Sequence, residues 1–431
     1  MLQSKAMLYT ADLHTHSHYA KATSPNLCLE TMYQWAQVKD INVVGTGDFT
    51  HPAWLQELKE KLVSCGNGLF KLKHPPVEPA LPGIRTTHTD VHFCLSTEIS
   101  CEYVCNNKPR KIHHLVYVPD FDTADTFNQQ LVKHADLSID GRPAVPLSSR
   151  DLLEIVLQSG DRSYLVPAHA WTPWNAMLGS IYGHDCLEGC FKDLNPYIFA
   201  LETGLSSDPA MNWRWSKLDH LTMMSSSDAH SPKKLGREAN LFNTELSYDG
   251  ILNAVKTGKG FEGTYEFFPE EGKYSNDGHR ECNISFDWQQ TQAHHGICPV
   301  CHKPLTIGVM HRVELLADRP VPKQPEKAAN FQYIVPLPEI LSEIYNVSVD
   351  SKKVTHAFTK TISAFGNEFT LLKETPVEDI HRYHPLLAKA IHRMRNGYVH
   401  RTSGYDGIYG TIKFFDEEEL QQAAKPQLSM F

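Results

Sequence analysis

Histidines and carboxylates recur where apolar runs end. The segment "AMLYTADLHTHSH" carries Asp12, His14, His16 and His18 directly after a short apolar run. "INVVGTGDFTHP" leads to Asp48 and His51, "VHFCLSTEIS" carries Glu98, and "KIHHLVYVP" holds His113 and His114. Farther along, "SYLVPAHAW" ends in His169, "YIFALETG" in Glu202, and "LTMMSSSDAH" in Asp228 and His230. A lone histidine beside apolar residues is most simply a core residue with its ring nitrogens hydrogen-bonded. Seven endings of one chemical type in one chain point instead to a shared metal centre. Imidazole with carboxylate suits zinc, manganese or iron, and a bridging carboxylate allows two or more ions side by side.

A second constellation lies in "DGHRECNISFDWQQTQAHHGICPVCHKPL". His279 with Cys282, and Cys298 with Cys301, form two knuckles separated by a hairpin-length insert. That is the spacing of a tetrahedral structural zinc site. His294, His295 and His302 are alternatives for the fourth ligand should His279 point away. Cys101 with Cys105, and Cys186 with Cys190, have no matching second knuckle and read as ordinary thiols.

The elements that must position these residues alternate. "LCLETMYQWAQVKD", "PAWLQELKEKLVS", "SRDLLEIVLQSG" and "YDGILNAVKTG" show helical apolar spacing between the strand-like runs. Strand–helix alternation predicts an α/β fold of parallel βαβ units, whose strand ends converge on one face as in a barrel. Turn chemistry in "FFPEEGKYSNDGH" places the end of this barrel near residue 268. A zinc-binding module over 269–319 follows, then the connector "RPVPKQPEKAANF" and a mainly helical domain over 320–431. Asp416 to Glu419 read as a solvated helix face. The chain has 431 residues, of which 41% are hydrophobic and 21% charged, ordinary values for a globular protein with room for two or three domains. Its formal charge of −9 means that any nucleic-acid surface must be local. Ten cysteines in this length are no disulfide scaffold. The start lacks the apolar core of a leader, and no run approaches the roughly 20 apolar residues of a membrane span. A cytoplasmic protein without membrane association is the expectation.

"DLHTH", "GTGDFTHP", "STEIS", "PAHAWTPW" and "SSDAH" resemble the ligand motifs of the PHP family, the polymerase and histidinol phosphatase domain. "ETGLSSDPAMNWRWSKLD", "SSDAHSPKKLGREAN" and "GYDGIYG" are similar, more narrowly, to its endonuclease Q group, and the resemblance touches nearly the whole chain. It implies a distorted seven-stranded β/α barrel holding two or three divalent ions (zinc, manganese or magnesium), a structural zinc, and a C-terminal domain. His14 and His16 match the opening His-x-His pair, Glu98 the bridging carboxylate, and His169 and Asp228 further ligands. Asp48, His51 and His230 match the third-ion region, although Phe49 stands where many members carry histidine. Of the neighbours His113 and His114 the pattern picks His113, since adjacent residues of a strand face opposite ways. His18 is either a third-ion ligand or a loop residue. Glu202 is either a partner of a ligating histidine or a carboxylate in solvent. Asp228 and Glu98 are the expected catalytic carboxylates.

Two further stretches fit such a function. Residues 381 to 413 hold Arg393, Arg395 and Arg401 among other cations, suited to tracking a phosphate backbone. Tyr405 and Tyr409 of "SGYDGIYG" can stack on bases. Trp171 and Trp174 follow a metal ligand and suit a pocket for an extruded base. The expected activity is metal-dependent hydrolysis of DNA on the 5′ side of a deaminated base (uracil, hypoxanthine or xanthine) or an abasic site, with damaged DNA as partner and other repair or replication proteins as further associates. A phosphatase of small phosphomonoesters and a non-catalytic DNA-binding scaffold are the alternatives.

Overall fold

The computed structural model describes residues 6–424; residues 1–5, at the start of the segment read for a leader, and the end of the C-terminal segment lie outside it. One mixed sheet of eleven strands forms the centre among the described residues. Met7–Asp12 runs parallel to Val43–Gly45, which runs parallel to the start of His92–Cys105. On its other edge Met7–Asp12 pairs antiparallel with Ala239–Thr244, and Phe261–Glu266 follows antiparallel to that strand. Ala200–Glu202 and Thr222–Met224 form a separate parallel pair.

The α/β class stands, with a mixed central sheet in place of the expected parallel βαβ units. His92–Cys105 and Lys108–Val118 are one long antiparallel hairpin rather than strands joined by a crossover. Its two-residue turn is Asn106–Asn107, with φ of 52° and 57°. Such a turn matches the twist of the flanking strands, and asparagine tolerates the left-handed conformation it requires. Hairpin pairing sets Ser100 opposite His113 and Glu98 opposite Leu115, so two candidate ligands become near neighbours across the ladder.

The helices form where their caps and apolar faces dictate. Ser148 accepts from the Asp151 N–H to open Ser149–Ser159, which buries Leu152, Leu153 and Val156. Ser247 opens Tyr248–Thr257 in the same way, and Gly258 closes it at φ 74°. Pro52 stands in the first turn of Pro52–Lys61, where its missing N–H costs nothing. Among the described residues no helix is long and apolar enough to cross a membrane.

In the C-terminal segment, Leu337–Tyr345, Lys352–Phe365, Val377–Tyr383 and Pro385–Arg395 enclose a second core containing Leu341, Phe358, Ile362 and Ile391. Val38, Ile84 and Phe268 from the first 268 residues also enter that core. Asn330–Tyr333, beyond the expected boundary at residue 320, instead joins the central sheet parallel to Phe261–Glu266. A buried ion pair, Lys39 Nζ to Glu368 Oε2 at 2.6 Å, ties the two parts together.

The small hairpin Asp277–His279 with Ile284–Phe286 carries the first zinc knuckle. The "SGYDGIYG" loop is fastened to this module and to the segment before it. Asp406 accepts from Arg280 N and Thr306 Oγ1, each at 2.7 Å, and Gly404 N donates to Glu270 O at 2.8 Å. A Cβ at Gly404 would collide with the carbonyl oxygens of Gly272 and Ile408, which is why the approach needs glycine there.

Candidate metal centre

Met7–Asp12 ends in a loop that runs beside the "SSSDAH" loop, with His16 N donating to Ala229 O at 3.2 Å. Asp12 points the other way, fully buried, and accepts from Ser227 N and Gly236 N at 3.0 and 2.9 Å. Burial pushes its carboxyl up to about 6, against the pull of those hydrogen bonds. Asp12 is therefore a tie between two loops.

The alternation of His-x-His sends both rings inward, and each is held from behind by a carboxylate. His14 Nδ1 donates to both oxygens of Glu202 at 3.0 and 3.1 Å, and His16 Nδ1 donates to Asp48 Oδ1 at 3.0 Å. That leaves each Nε2 facing the centre. His16 Nε2 lies 3.1 Å from Asp228 Oδ1 and 3.4 Å from Glu98 Oε2. His14 Nε2 lies 3.5 Å from Asp228 Oδ1 and 3.8 Å from Glu98 Oε2; it is buried and has no hydrogen-bond partner.

Glu98 divides its two oxygens. Oε2 faces His14, His16 and Asp228, while Oε1 lies 2.7 Å from His113 Nδ1 and 2.9 Å from His169 Nε2. Two groups able to hold an ion result, His14–His16–Glu98–Asp228 and Glu98–His113–His169, each with its donor atoms within 4.8 Å of one another. Burial opposes ionisation of Glu98, but His113 and Arg142 overcome it and hold the carboxyl well below its usual range. Asp228 is likewise lowered despite burial, by His14 and His16. Burial depresses His113 to about 4, favouring the neutral imidazole that ligates metals. His114 faces away and meets Ser149 Oγ at 2.8 Å.

The residues read for a third ion, Asp48, His51, His18 and His230, lie outside these two groups, and His51 Nδ1 is buried without a hydrogen-bond partner. Asp48 accepts from His16, from Ser17 N at 2.6 Å and from Ser17 Oγ at 2.7 Å, which uses its carboxylate to hold the histidine loop. His51 Nε2 donates to Ser138 O at 3.1 Å, and its ring stacks on Tyr19. His18 Nδ1 donates to Leu27 O. His230 lies beside the first group, its ring centroid 4.7 Å from that of His16, with Nδ1 donating to the Asp228 carbonyl. Arg142, which carried no motif, reaches the centre from a loop. It is the functional candidate that sequence reasoning missed.

The second constellation closes as the spacing required. His279, Cys282, Cys298 and Cys301 bring their donor atoms within 4.8 Å of one another. Of the alternative ligands, His294 stacks on Phe286.

The expected nucleic-acid contacts rearrange. Arg393 makes a two-pronged ion pair with Glu419 at 2.8 Å for each prong, because the acidic helix Glu417–Ala424 folds back on it rather than lying free in solvent. Arg395 donates to the Leu371 and Leu372 carbonyls, and Arg401 pairs with Glu270 over the rings of Phe268 and Tyr333. In the structure these three side chains bond to protein groups. Tyr405 lies against the backbone of Gly278, whereas Tyr409 is 67% exposed with Lys273 Nζ 4.6 Å from its ring centre. Trp171 is fully buried, its indole N–H donating to Asn212 Oδ1, so it belongs to the core. Trp174 is half-buried against Tyr274, 4.7 Å between ring centres.

Sheet and site together define an α/β protein with a buried histidine–carboxylate centre and a separate Cys3His cluster. Over nearly its whole length the chain has the fold of endonuclease Q. It matches the crystal structure of the lesion-specific endonuclease PfuEndoQ from Pyrococcus furiosus with a TM-score of 0.83 and 28% identity, over 96% of this chain and 99% of that one. It matches equally, at 0.83 and 29% identity over 98% and 99% of the two chains, a structure of endonuclease Q in complex with a 27-mer duplex substrate bearing an abasic lesion at the active site. The uncharacterized protein YqxK of Bacillus subtilis is 26% identical over 94% of this chain and 98% of its own length. The uncharacterized Methanocaldococcus jannaschii protein MJ0043 is 28% identical over 59% of this chain, a match that spans 33% of that longer relative. Residues 336–398 match the family model described as the MJ0043 C-terminal domain.

Proposed function

We propose that this chain is a metal-dependent DNA repair endonuclease that hydrolyses the phosphodiester 5′ of a deaminated base (uracil, hypoxanthine or xanthine) or of an abasic site. The observation that carries the reading is the division of Glu98 between two ligand groups, in a chain that aligns end to end with an endonuclease bound to lesion DNA. The donor set fits divalent ions. His14 Nε2 is a buried nitrogen with no other partner, and Glu98 offers one oxygen to each group. Bound ions there would acidify a water and neutralise charge on the leaving oxygen. The protein's own work is orientation: Glu202 and Asp48 fix the rings of His14 and His16, and Asp228 adds charge to the group that holds them. We assign residues 1–268, with the sheet strand Asn330–Tyr333, to hydrolysis, and the zinc module 269–319 together with the rest of 320–431 to DNA binding. With the arginines of Pro385–Arg395 occupied, the exposed Tyr409, Lys273 and Arg280 are the better candidates for a DNA contact, and Trp174 the better candidate for the base pocket.

The test is incubation with end-labelled duplexes containing uracil, hypoxanthine, xanthine or an abasic site, with manganese, magnesium or zinc. Nicking 5′ of the lesion in a metal-dependent manner is expected. Turnover of a small phosphomonoester with no cleavage of any duplex would overturn the reading.

A further inference from the structure

Arg142 enters the centre from the loop Ser138 to Pro143, and that loop is built against the histidine loop. Gly141 N donates to Tyr19 O at 3.0 Å, and Asp140 Oδ1 accepts from Lys21 N and Arg142 N at 3.0 and 3.2 Å. His51 holds the Ser138 carbonyl, and Ser100 N holds the Pro143 carbonyl, so both ends are pinned. Residue 141 has to be glycine, because a Cβ there would stand 2.5 Å from Asp48 Oδ2. The loop thus presents the next residue, Arg142, from a fixed position beside the ligands.

Its guanidinium Nη1 lies 3.2 Å from Glu98 Oε2, the oxygen that faces His14, His16 and Asp228. Among the described residues it is the one Arg or Lys side chain in an ion pair with a carboxylate of the centre. Arg237, also nearby, donates to the Ser227 and Asp228 carbonyls and serves the backbone. Arg142 is different: its side chain is 27% exposed, and the bond from Nη1 to Glu98 is the one side-chain hydrogen bond it makes among the described residues. A half-used guanidinium at the open side of a buried ligand cluster is a donor fork waiting for an anion.

We infer that Arg142 is a phosphate-binding residue whose availability is set by the metal ions. This rests on the proposed hydrolysis of a phosphodiester at the same centre. Ions held by Glu98 Oε2 would take the acceptor that Arg142 now uses and repel its charge. The guanidinium would then be free for the non-bridging oxygens of the phosphodiester, which its planar fork matches two-pronged. A lysine would supply the charge without the fork.

The experiment uses the full chain as wild type, Arg142→Met and Arg142→Lys, with unchanged metal content at the Cys3His cluster as the check that each variant folds. Metal-stripped protein is titrated with manganese, and manganese-loaded protein with inorganic phosphate. Arg142→Met should bind manganese at the centre at least about tenfold more tightly, having lost a competing cation, and phosphate at least about tenfold more weakly. Arg142→Lys should fall between for both. Phosphate affinity equal to wild type in Arg142→Met, or manganese affinity that drops, would overturn the inference. Neither titration measures cleavage, so a protein that cuts no DNA would refute the proposed function while these two curves still decide the role of Arg142.

Discussion

Replacing Glu202 by glutamine tests whether the carboxylates behind the histidines are structural parts of the metal centre. The Glu202 carboxylate can only accept, so it fixes the His14 proton on Nδ1 and leaves the Nε2 lone pair for a metal. A glutamine amide can instead donate to Nδ1, which would drive the proton to Nε2 and close the ligand site. The backbone need not suffer, because the glutamine carbonyl still accepts from His169 N, a bond of 2.9 Å in the native chain. The loss is therefore one charge-assisted hydrogen bond, about 1.5–3 kcal/mol. At about 1.4 kcal/mol per tenfold, that is a weakening of roughly 10- to 150-fold in metal affinity. Disruption of a histidine's supporting carboxylate elsewhere costs about 10–100-fold, which agrees. The assay is competition of metal-stripped protein against a chromophoric chelator, with the Cys3His cluster as an internal standard that should not move. An affinity at the Glu98 centre within twofold of wild type would refute the reasoning.

Asp228→Asn keeps a side chain that tolerates the φ of 47° at this position but removes a ligand charge, so cleavage should fall by orders of magnitude while affinity for lesion duplex, measured by gel shift, changes little. Cys298→Ser and Cys301→Ser should each lose one tightly bound zinc and lower the melting temperature, since a structural ion supplies folding energy; elemental analysis reads the stoichiometry directly. Arg393→Ala should lower thermal stability yet leave the salt dependence of DNA binding as it was, because its guanidinium is already paired with Glu419. Burial, with Glu339 nearby and Lys234 and Arg237 opposing, raises the Glu271 carboxyl to about 8. The folded chain thus holds a proton there that the unfolded chain releases near its ordinary value, so stability should decline from about pH 4.5 to about pH 8. Glu271→Gln should flatten that slope in denaturant titrations across the range, and an unchanged slope would remove Glu271 as its cause.

The parts of the site legible in the sequence are those written in local spacing. His14-x-His16 and the paired knuckles at His279–Cys282 and Cys298–Cys301 declare themselves because the ligands of each motif share one short element. Glu98, His169 and Asp228 stand out by following apolar runs. What spacing does not encode is which distant group claims a side chain. Asp48 and Asp228 look alike along the chain, yet Asp48 is taken by His16 and the Ser17 amide, while Asp228 turns toward the Nε2 atoms. Arg393 and Arg395 lie in a basic stretch whose neutralising partners, Glu419 and two helix carbonyls, come from other elements. Trp171 follows a candidate ligand, but the Asn212 amide takes its indole into the core. The long hairpin was legible in principle from Asn106–Asn107, whose pairing is what makes His113 a neighbour of Glu98.

The surplus of carboxylates around the centre has a mechanical cause. Asp48, His169 and Asp228 have φ of 50°, 30° and 47°, a left-handed backbone that residues other than glycine adopt at a cost of roughly 1–3 kcal/mol. His169 and Asp228 are each braced by a carboxylate that accepts an N–H at or next to the strained residue, and Asp48 is tied by its own carboxylate to the histidine loop. Asp48 accepts from Ser17 N, Glu202 from His169 N, and Asp12 from Ser227 N, the residue before Asp228. Asp48 and Glu202 also hold the rings of His16 and His14, so backbone strain and ring orientation are controlled by the same side chains. Removing either should therefore disturb a loop and a ligand together, whereas removing Asp12, which touches no ligand ring, should loosen the Asp228 loop alone. The sharp turns that aim His169 and Asp228 inward exist because acidic groups outside the ligand set hold them there.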